Sequence, residues 1–250
     1  RRWDDNKEYS YAMRSKEEAQ EEMKKFCKGK PLLPPTFISE HRIEEVKGIY
    51  VPFWLYNCDA AGKMRFDATK VKKWSTEDFD YTKTEHYMVI REGGAMFDNV
   101  PVNGSTNVEA RYMEAIEPFE ATEGKPFQDA YLSGYLADKY NIDSVEAQPR
   151  ANERVKKGME QLLRNTVVGY DTVNTESSSM HLETGKIRYA MMPVWLLSTR
   201  YRGKVYKFAM NAQTGKFVGE LPISWRKFWG IFALITGIVT AVGTAIQIFM

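Results

Sequence analysis

Three histidines (His41, His86 and His181), two cysteines (Cys27 and Cys58) and the run Ser177-Ser178-Ser179 are the first side chains to weigh in this 250-residue chain for nucleophilic, acid–base or metal-assisted chemistry. Their spacing builds none of the usual constellations. The histidines are far apart and no H-E-x-x-H occurs, so no zinc site is expected. Cys27 shares an apolar helical face with Met23 and Phe26, which predicts a buried, inert thiol. The serines before His181 read as a polar strand edge or turn, because no acid at a suitable position orients the ring. Gly29, Gly62, Gly124, Gly185, Gly203 and Gly215 each precede a lysine, yet none continues into Lys-Ser or Lys-Thr as a phosphate loop must. Catalysis would require the fold to gather scattered groups such as His86, Asp98 and Glu114 into one cleft. The expectation is a non-enzymatic chain with no cofactor.

Lysine plus arginine (35) nearly balances aspartate plus glutamate (33), so the net charge of +2 gives no overall field for nucleic acid or acidic substrates. Two distant cysteines argue against a disulfide framework and fit a reducing compartment. The chain opens Arg1-Arg2-Trp3 without a methionine or an early apolar run, so no signal peptide is visible and the N-terminus reads as incomplete.

The elements that would position any site begin with the plainest signal. Phe228 to Met250 carries no ionisable side chain; as a helix it would span roughly 34 Å against a hydrocarbon layer of about 30 Å. Trp225 and Trp229 stand where an interfacial aromatic belt lies, and Arg226 with Lys227 places positive charge just before the span. The expectation is a single-pass anchor in a bacterial cytoplasmic membrane, with the preceding region facing the cytoplasm and the bilayer as first partner. Ala233, Gly237, Ala241 and Ala245 recur every fourth residue, a stripe along which two such helices can approach closely in a homo-oligomer.

The region before the anchor reads as duplicated. Val51-Pro52-Phe53-Trp54-Leu55 is echoed by Met192-Pro193-Val194-Trp195-Leu196, and the same ungapped offset pairs Gly62-Lys63 with Gly203-Lys204 and Ala68 with Ala209. Before each copy stands a helix signal of capping-box spacing, Ser15 to Glu18 and Asp143 to Glu146. Met23, Phe26 and Cys27 fall on one face of the first helix, and Met159, Leu162 and Leu163 on one face of the second, which reaches about Leu163. The strands around Trp54 and Trp195 are apolar on both faces and predict cover on each side. Pro52 and Pro193 cannot donate to a ladder and mark a strand start, an edge or a bulge. Gly62 and Gly203 suit tight turns, Asn211 to Gly215 suits the next hairpin connection, and Asn103-Gly104-Ser105 closes a strand-rich segment from about Tyr81. Helical signals follow from Asn107 to Ile116 and from Gln128 to Tyr140. The predicted fold class is α+β: duplicated halves of helix plus antiparallel sheet over 1–106 and 143–222, a helical middle segment over 107–142, and the membrane anchor over 223–250.

The segments RIEEVKGIYVPFWLYNCDAAG, FDATKVKKWS, VPVNGSTN, YLSGYLADKY, PRANERVK and MPVWLLSTRYRGKVYKFAMNAQTGKFVGELP together resemble the bacterial membrane-anchored TFIIB-type zinc-ribbon-containing proteins, often labelled PriA-like. The resemblance covers roughly residues 16–229. It implies a membrane span and no transferable catalytic residue, and because the ribbon cysteines have no counterpart here it carries over no zinc ligands and no helicase activity. It further implies an adaptor or scaffold in envelope maintenance or membrane-stress assemblies, with an SPFH-type or phage-shock-type membrane protein as partner. The alternative is a membrane-tethered, nucleic-acid-associated protein whose zinc ribbon lies outside this chain. Against direct contact with nucleic acid, Trp54 and Trp195 lie within apolar strands, and Lys70, Lys72, Lys73, Arg200, Arg202, Lys204 and Lys207 alternate along hairpins as a solvated face would.

Overall fold

Ser15 and Asp143 start the two helices that follow them as their side chains dictate. The Ser15 hydroxyl accepts from the Glu18 amide while the Glu18 carboxylate accepts from the Ser15 amide, and the Asp143 carboxylate accepts from the amides of Val145 and Glu146. The computed structural model describes residues 9–10, 13–40, 43–120, 125–126 and 134–249. In chain order the elements are β1 (Tyr9–Ser10), α1 (Lys16–Cys27), α2 (Pro35–Glu40), β2 (Ile43–Ser75), β3 (Asp80–Asn103), α3 (Ala110–Ala115), β4 (Lys125–Pro126), β5 (Leu136–Ala137), α4 (Ser144–Asn165), β6 (Thr172–Tyr201), β7 (Lys204–Asn211), β8 (Phe217–Gly219) and α5 (Trp225–Phe249). The fold is α+β with antiparallel hairpins and one C-terminal apolar helix. The described residues divide into two compact units. One includes Pro52–Thr106 and Lys139–Met191; the other includes Ser10–Val51, Asn107–Asp138 and Met192–Met250.

In the first unit β2 pairs antiparallel with β3 from Phe53↔Asn103 to Ser75↔Asp80, with one bulge between Tyr56 and Cys58. On the other edge of β2 runs β6, where Thr69 meets Thr172 (2.6 Å between hydroxyls) and Arg65 meets Glu176 (2.7 Å), a falling series that makes this pairing antiparallel too. Ala147, Ala151, Val155, Met159 and Leu163 recur every fourth residue along α4 and are all buried. The last three pack on Cys58, Met64, Phe66 and Val89, and the two alanines on Tyr56 and Val102. Leu162, expected on this face, is instead 48% exposed. One helical step carries it off the stripe.

In the second unit β6 pairs with β7 from Val194↔Asn211 to Tyr201↔Lys204, and β7 with β8 from Phe208↔Gly219 to Met210↔Phe217. Arg202 (φ 50) and Gly203 (φ 77) form the two-residue turn between β6 and β7, as the glycine predicts. Met23 and Cys27 of α1 are buried against Trp195, Leu197, Phe208 and Met210, with Phe37 of α2 in the same core. The segment from Asn211 to Gly215 is the expected connection: the Gly215 amide donates to the Asn211 carbonyl at 2.8 Å and Gly215 has φ 80.

Further expectations change. Gly62 makes no turn; it lies inside β2 opposite Gly93. A Cβ there would stand 2.3 Å from the Met180 sulfur and 3.3 Å from Leu163 Cδ1, so close approach of β6 and α4 side chains, not positive φ, calls for glycine. The helix expected from Gln128 to Tyr140 falls partly on 128–133, outside the described residues. Gly134 (φ 87) is a turn, and Leu136–Ala137 is a strand parallel to Ile49–Tyr50. Backbone pairing there outweighs a short apolar pattern. From 107 to 116 the helix is the six-residue α3.

Candidate functional site

Pro52 and Pro193 stand inside continuous strands, yet each immediately precedes the first pair of its hairpin ladder, Phe53↔Asn103 and Val194↔Asn211. A residue without an N–H therefore sits where the ladder needs none. Its carbonyl accepts across the hairpin, Pro52 from the Gly104 amide (2.9 Å) and Pro193 from the Ala212 amide (3.0 Å). The carbonyls of Gly104 and Ala212 in turn accept from the amides of Ile142 (3.1 Å) and Arg14 (3.0 Å), which directly precede the N-caps Asp143 and Ser15. The indole N–H of Trp54 donates to the Ile142 carbonyl at 2.9 Å, and that of Trp195 to the Arg14 carbonyl at 2.8 Å. Asn103 and Asn211 complete the set, each side-chain oxygen accepting from the amide two residues on, Ser105 (3.0 Å) and Gln213 (2.9 Å). Four hydrogen bonds thus recur in each unit on corresponding residues. In both, a tryptophan ties the start of a helix to the hairpin it covers.

Tyr56, 1% exposed, donates from its hydroxyl to the Ser144 carbonyl (2.6 Å) at the start of α4. Burial, and secondarily the Asp143 carboxylate, pushes its pKa up from 10.0 to about 12. A phenol that holds its proton more tightly when folded contributes stability that is complete below pH 10 and lost as pH rises toward about 12. Tyr56→Phe should therefore cost about 1 kcal/mol at neutral pH and flatten that alkaline decline. Urea midpoints of both proteins measured across this range check it, and an unchanged decline in the variant counts against the assignment.

Among the described residues, neither unit draws its catalytic candidates together. His181 Nε2 lies 3.2 Å from Glu183 Oε1, an acid partner that the sequence reading missed, but the two side chains are 75% and 73% exposed. Glu183 stands two residues on along the same strand, the alternation that puts both on one face. Ser178 donates to Glu160 (2.9 Å) rather than to the ring. His86 Nδ1 is 3.9 Å from Asp67, also exposed. His86 and Asp98 lie on one strand, about 40 Å apart at roughly 3.4 Å per residue, and Glu114 belongs to the other unit. His41 lies outside the described residues. Burial raises the thiol pKa of Cys27, partly offset by Lys30; burial and then Asp59 raise that of Cys58, against a backbone hydrogen bond from Glu183. Among the described residues no group of three or more His, Cys, Asp or Glu side chains could hold a metal ion.

At the C-terminus the Ser224 amide donates to the Leu32 carbonyl (2.8 Å), and the Ser224 carbonyl and hydroxyl accept from the amides of Phe228 and Lys227, starting α5. Lys227 Nζ donates to the Leu33 carbonyl at 2.8 Å, fixing the base of the helix to the segment after α1. Arg226 is exposed, as are Trp225 (64%) and Trp229 (59%). From Trp225 to Gln247 the helix has mean hydropathy 1.9, is long and apolar enough to cross a membrane, and has none of that window buried. Ala233, Gly237, Ala241 and Ala245 are all exposed along it. A second exposed apolar feature is the tip of the β2–β3 hairpin, where Trp74 and Tyr81 stack at 5.3 Å beside a 65% exposed Phe79.

No family model matches the chain, and no solved structure matches it. It is similar to the uncharacterized protein YdjG of Bacillus subtilis (strain 168), with 36% identity over 223 residues, 89% of this chain. The chain spans 65% of the length of that relative.

Proposed function

We propose that this protein is a non-catalytic, membrane-anchored adaptor: α5 crosses a bacterial cytoplasmic membrane, and the two α+β units present docking surfaces on the cytoplasmic side. The unburied apolar helix carries the reading, because 23 residues of such composition left in water would be a strong aggregation site. Arg226 and Lys227 just before the span favour the cytoplasmic orientation. The exposed ring pair Trp74–Tyr81 supports a partner-binding role, since aromatic side chains at an open hairpin tip gain more from an interface than from water. An SPFH-type or phage-shock-type membrane protein is the partner class that accords with the zinc-ribbon-family resemblance, and the small-residue stripe of α5 provides a face for a second copy.

The matched hydrogen bonds support a duplicated origin for the two units, with one difference from the simplest duplication. The helix of each half covers the hairpin of the other: α4 lies on β2–β3, and α1 on β6–β7.

The test is the fate of the full chain in bacterial membranes. It should resist carbonate extraction, remain intact when protease is added to spheroplasts, and be digested in inverted vesicles. Recovery in the soluble fraction would overturn the anchor, and digestion in spheroplasts the orientation.

A further inference from the structure

A cleft of about 740 Å³ opens at the foot of α5, entirely within the second unit. Its charged lining is Arg202 and Lys204 from the β6–β7 turn, Arg226 from the first turn of α5, and one carboxylate, Glu220. Glu220 is already paired with Arg111 at 2.8 Å. Among the described residues no carboxylate stands within ion-pair distance of Arg202, Lys204 or Arg226, so the cleft holds three cations against one engaged anion. Arg202 lies over the Tyr201 ring (5.4 Å) and Lys204 over the Tyr206 ring (5.3 Å), which steadies both side chains at the rim. The Tyr201 hydroxyl is held by Thr36 at 2.7 Å. The left-handed pair Arg202–Gly203 forms the tight turn that flanks two cations, Arg202 and Lys204, which line the same cleft as Trp225 and Arg226 of α5.

The position of the cleft bears on what it could bind. Arg226 precedes the first residue of the uncharged run by two positions, a rise of about 3 Å along the helix, and Trp225, which also lines the cleft, belongs at headgroup depth. A basic cavity at that depth faces the phosphate layer of the bilayer.

We propose that this cleft binds the phosphate-bearing headgroup of an anionic phospholipid, with Arg202, Lys204 and Arg226 as its ligands. The site rests on the anchor reading, because α5 must be in the bilayer to bring the cleft to the lipid phosphates.

The test uses the full chain in two measurements. Flotation with phosphatidylcholine vesicles reads the anchor alone. Binding of short-chain phosphatidylglycerol to the chain in neutral detergent micelles, with short-chain phosphatidylcholine and inorganic phosphate as parallel probes, reads the cleft. The expected result is saturable phosphatidylglycerol binding that neither other probe reproduces, weakened on the order of 100-fold in Arg202→Gln/Lys204→Gln/Arg226→Gln, with flotation of that variant unchanged. Lys70→Gln/Lys72→Gln/Lys73→Gln removes the same charge from the first unit and should bind like the parent. Equal phosphatidylglycerol binding by the cleft variant and the parent overturns the proposal, as does equal weakening in both variants, which would reduce the effect to overall charge. Inorganic phosphate competing as well as the lipid overturns the headgroup as source. Loss of flotation by the parent chain would instead overturn the anchor.

Discussion

Trp195→Ala is expected to destabilise the second unit by about 3–5 kcal/mol. The side chain is 4% exposed, its ring meets Tyr135 edge-on at 6.0 Å, and its indole N–H donates to the Arg14 carbonyl, 181 residues away in sequence. Truncation removes the packing and opens a cavity beneath α1, while the Arg14 carbonyl loses its donor. Because Arg14 directly precedes the Ser15 cap, the damage should spread into α1 rather than remain in the strand. Hydrogen exchange of the full chain in detergent should show faster exchange along α1, with α4 unchanged. Trp54→Ala should produce the reverse pattern, accelerating α4 through Ile142, and with a smaller cost because Trp54 is only partly buried. If Trp195→Ala loosened α4 and Trp54→Ala loosened α1 instead, the packing of α1 on β6–β7 and of α4 on β2–β3 would be wrong. Trp195→Phe separates the contributions: it keeps most of the ring packing and loses the hydrogen bond, for about 1 kcal/mol.

Which helix covers which hairpin is the part of this fold that local sequence does not encode. Ser15 and Asp143 are legible as caps because capping is settled within four residues, and the buried face of α4 follows from apolar positions every fourth residue. Such a face states only that it needs an apolar partner. The sequence order pairs each helix with the hairpin that follows it, whereas Met23 and Cys27 pack on Trp195 and Leu197, and Met159 and Leu163 on Cys58 and Phe66. Gly62 illustrates the same limit, since glycine serves a turn and a close approach equally well. Met180, remote in sequence, decides between them. The candidate site divides likewise. The apolar span and its flanking Trp225, Arg226, Lys227 and Trp229 can be read directly, because a run without charges is a local property. Arg202 and Lys204 read as an ordinary solvated hairpin face. Only the tie of Ser224 and Lys227 to Leu32 and Leu33 sets the foot of α5 in the same unit and beside one cleft with them.

Gly219→Ala should be the most damaging single-methyl addition in the second unit, at about 3 kcal/mol. Gly219 faces Phe208 directly in the β7–β8 register, and a Cβ built on it would lie 2.0 Å from Phe208 Cδ1. Ring atoms folded over a cross-strand glycine leave no room for a side chain. The ring cannot withdraw easily, being 1% exposed and packed against Phe26 (6.4 Å) and Phe217 (5.7 Å). The three-residue β8 has little ladder to resist displacement, so the strand should yield before the core does. Its release would free Glu220, the next residue, from Arg111 and loosen the chain leading into α5. Phe208→Leu supplies the control: it creates space beside Gly219, so adding Gly219→Ala in that background should cost at least 1 kcal/mol less than in the parent. Urea unfolding of the four proteins in one detergent completes the cycle, and strictly additive costs would show that the ring and the glycine do not constrain one another.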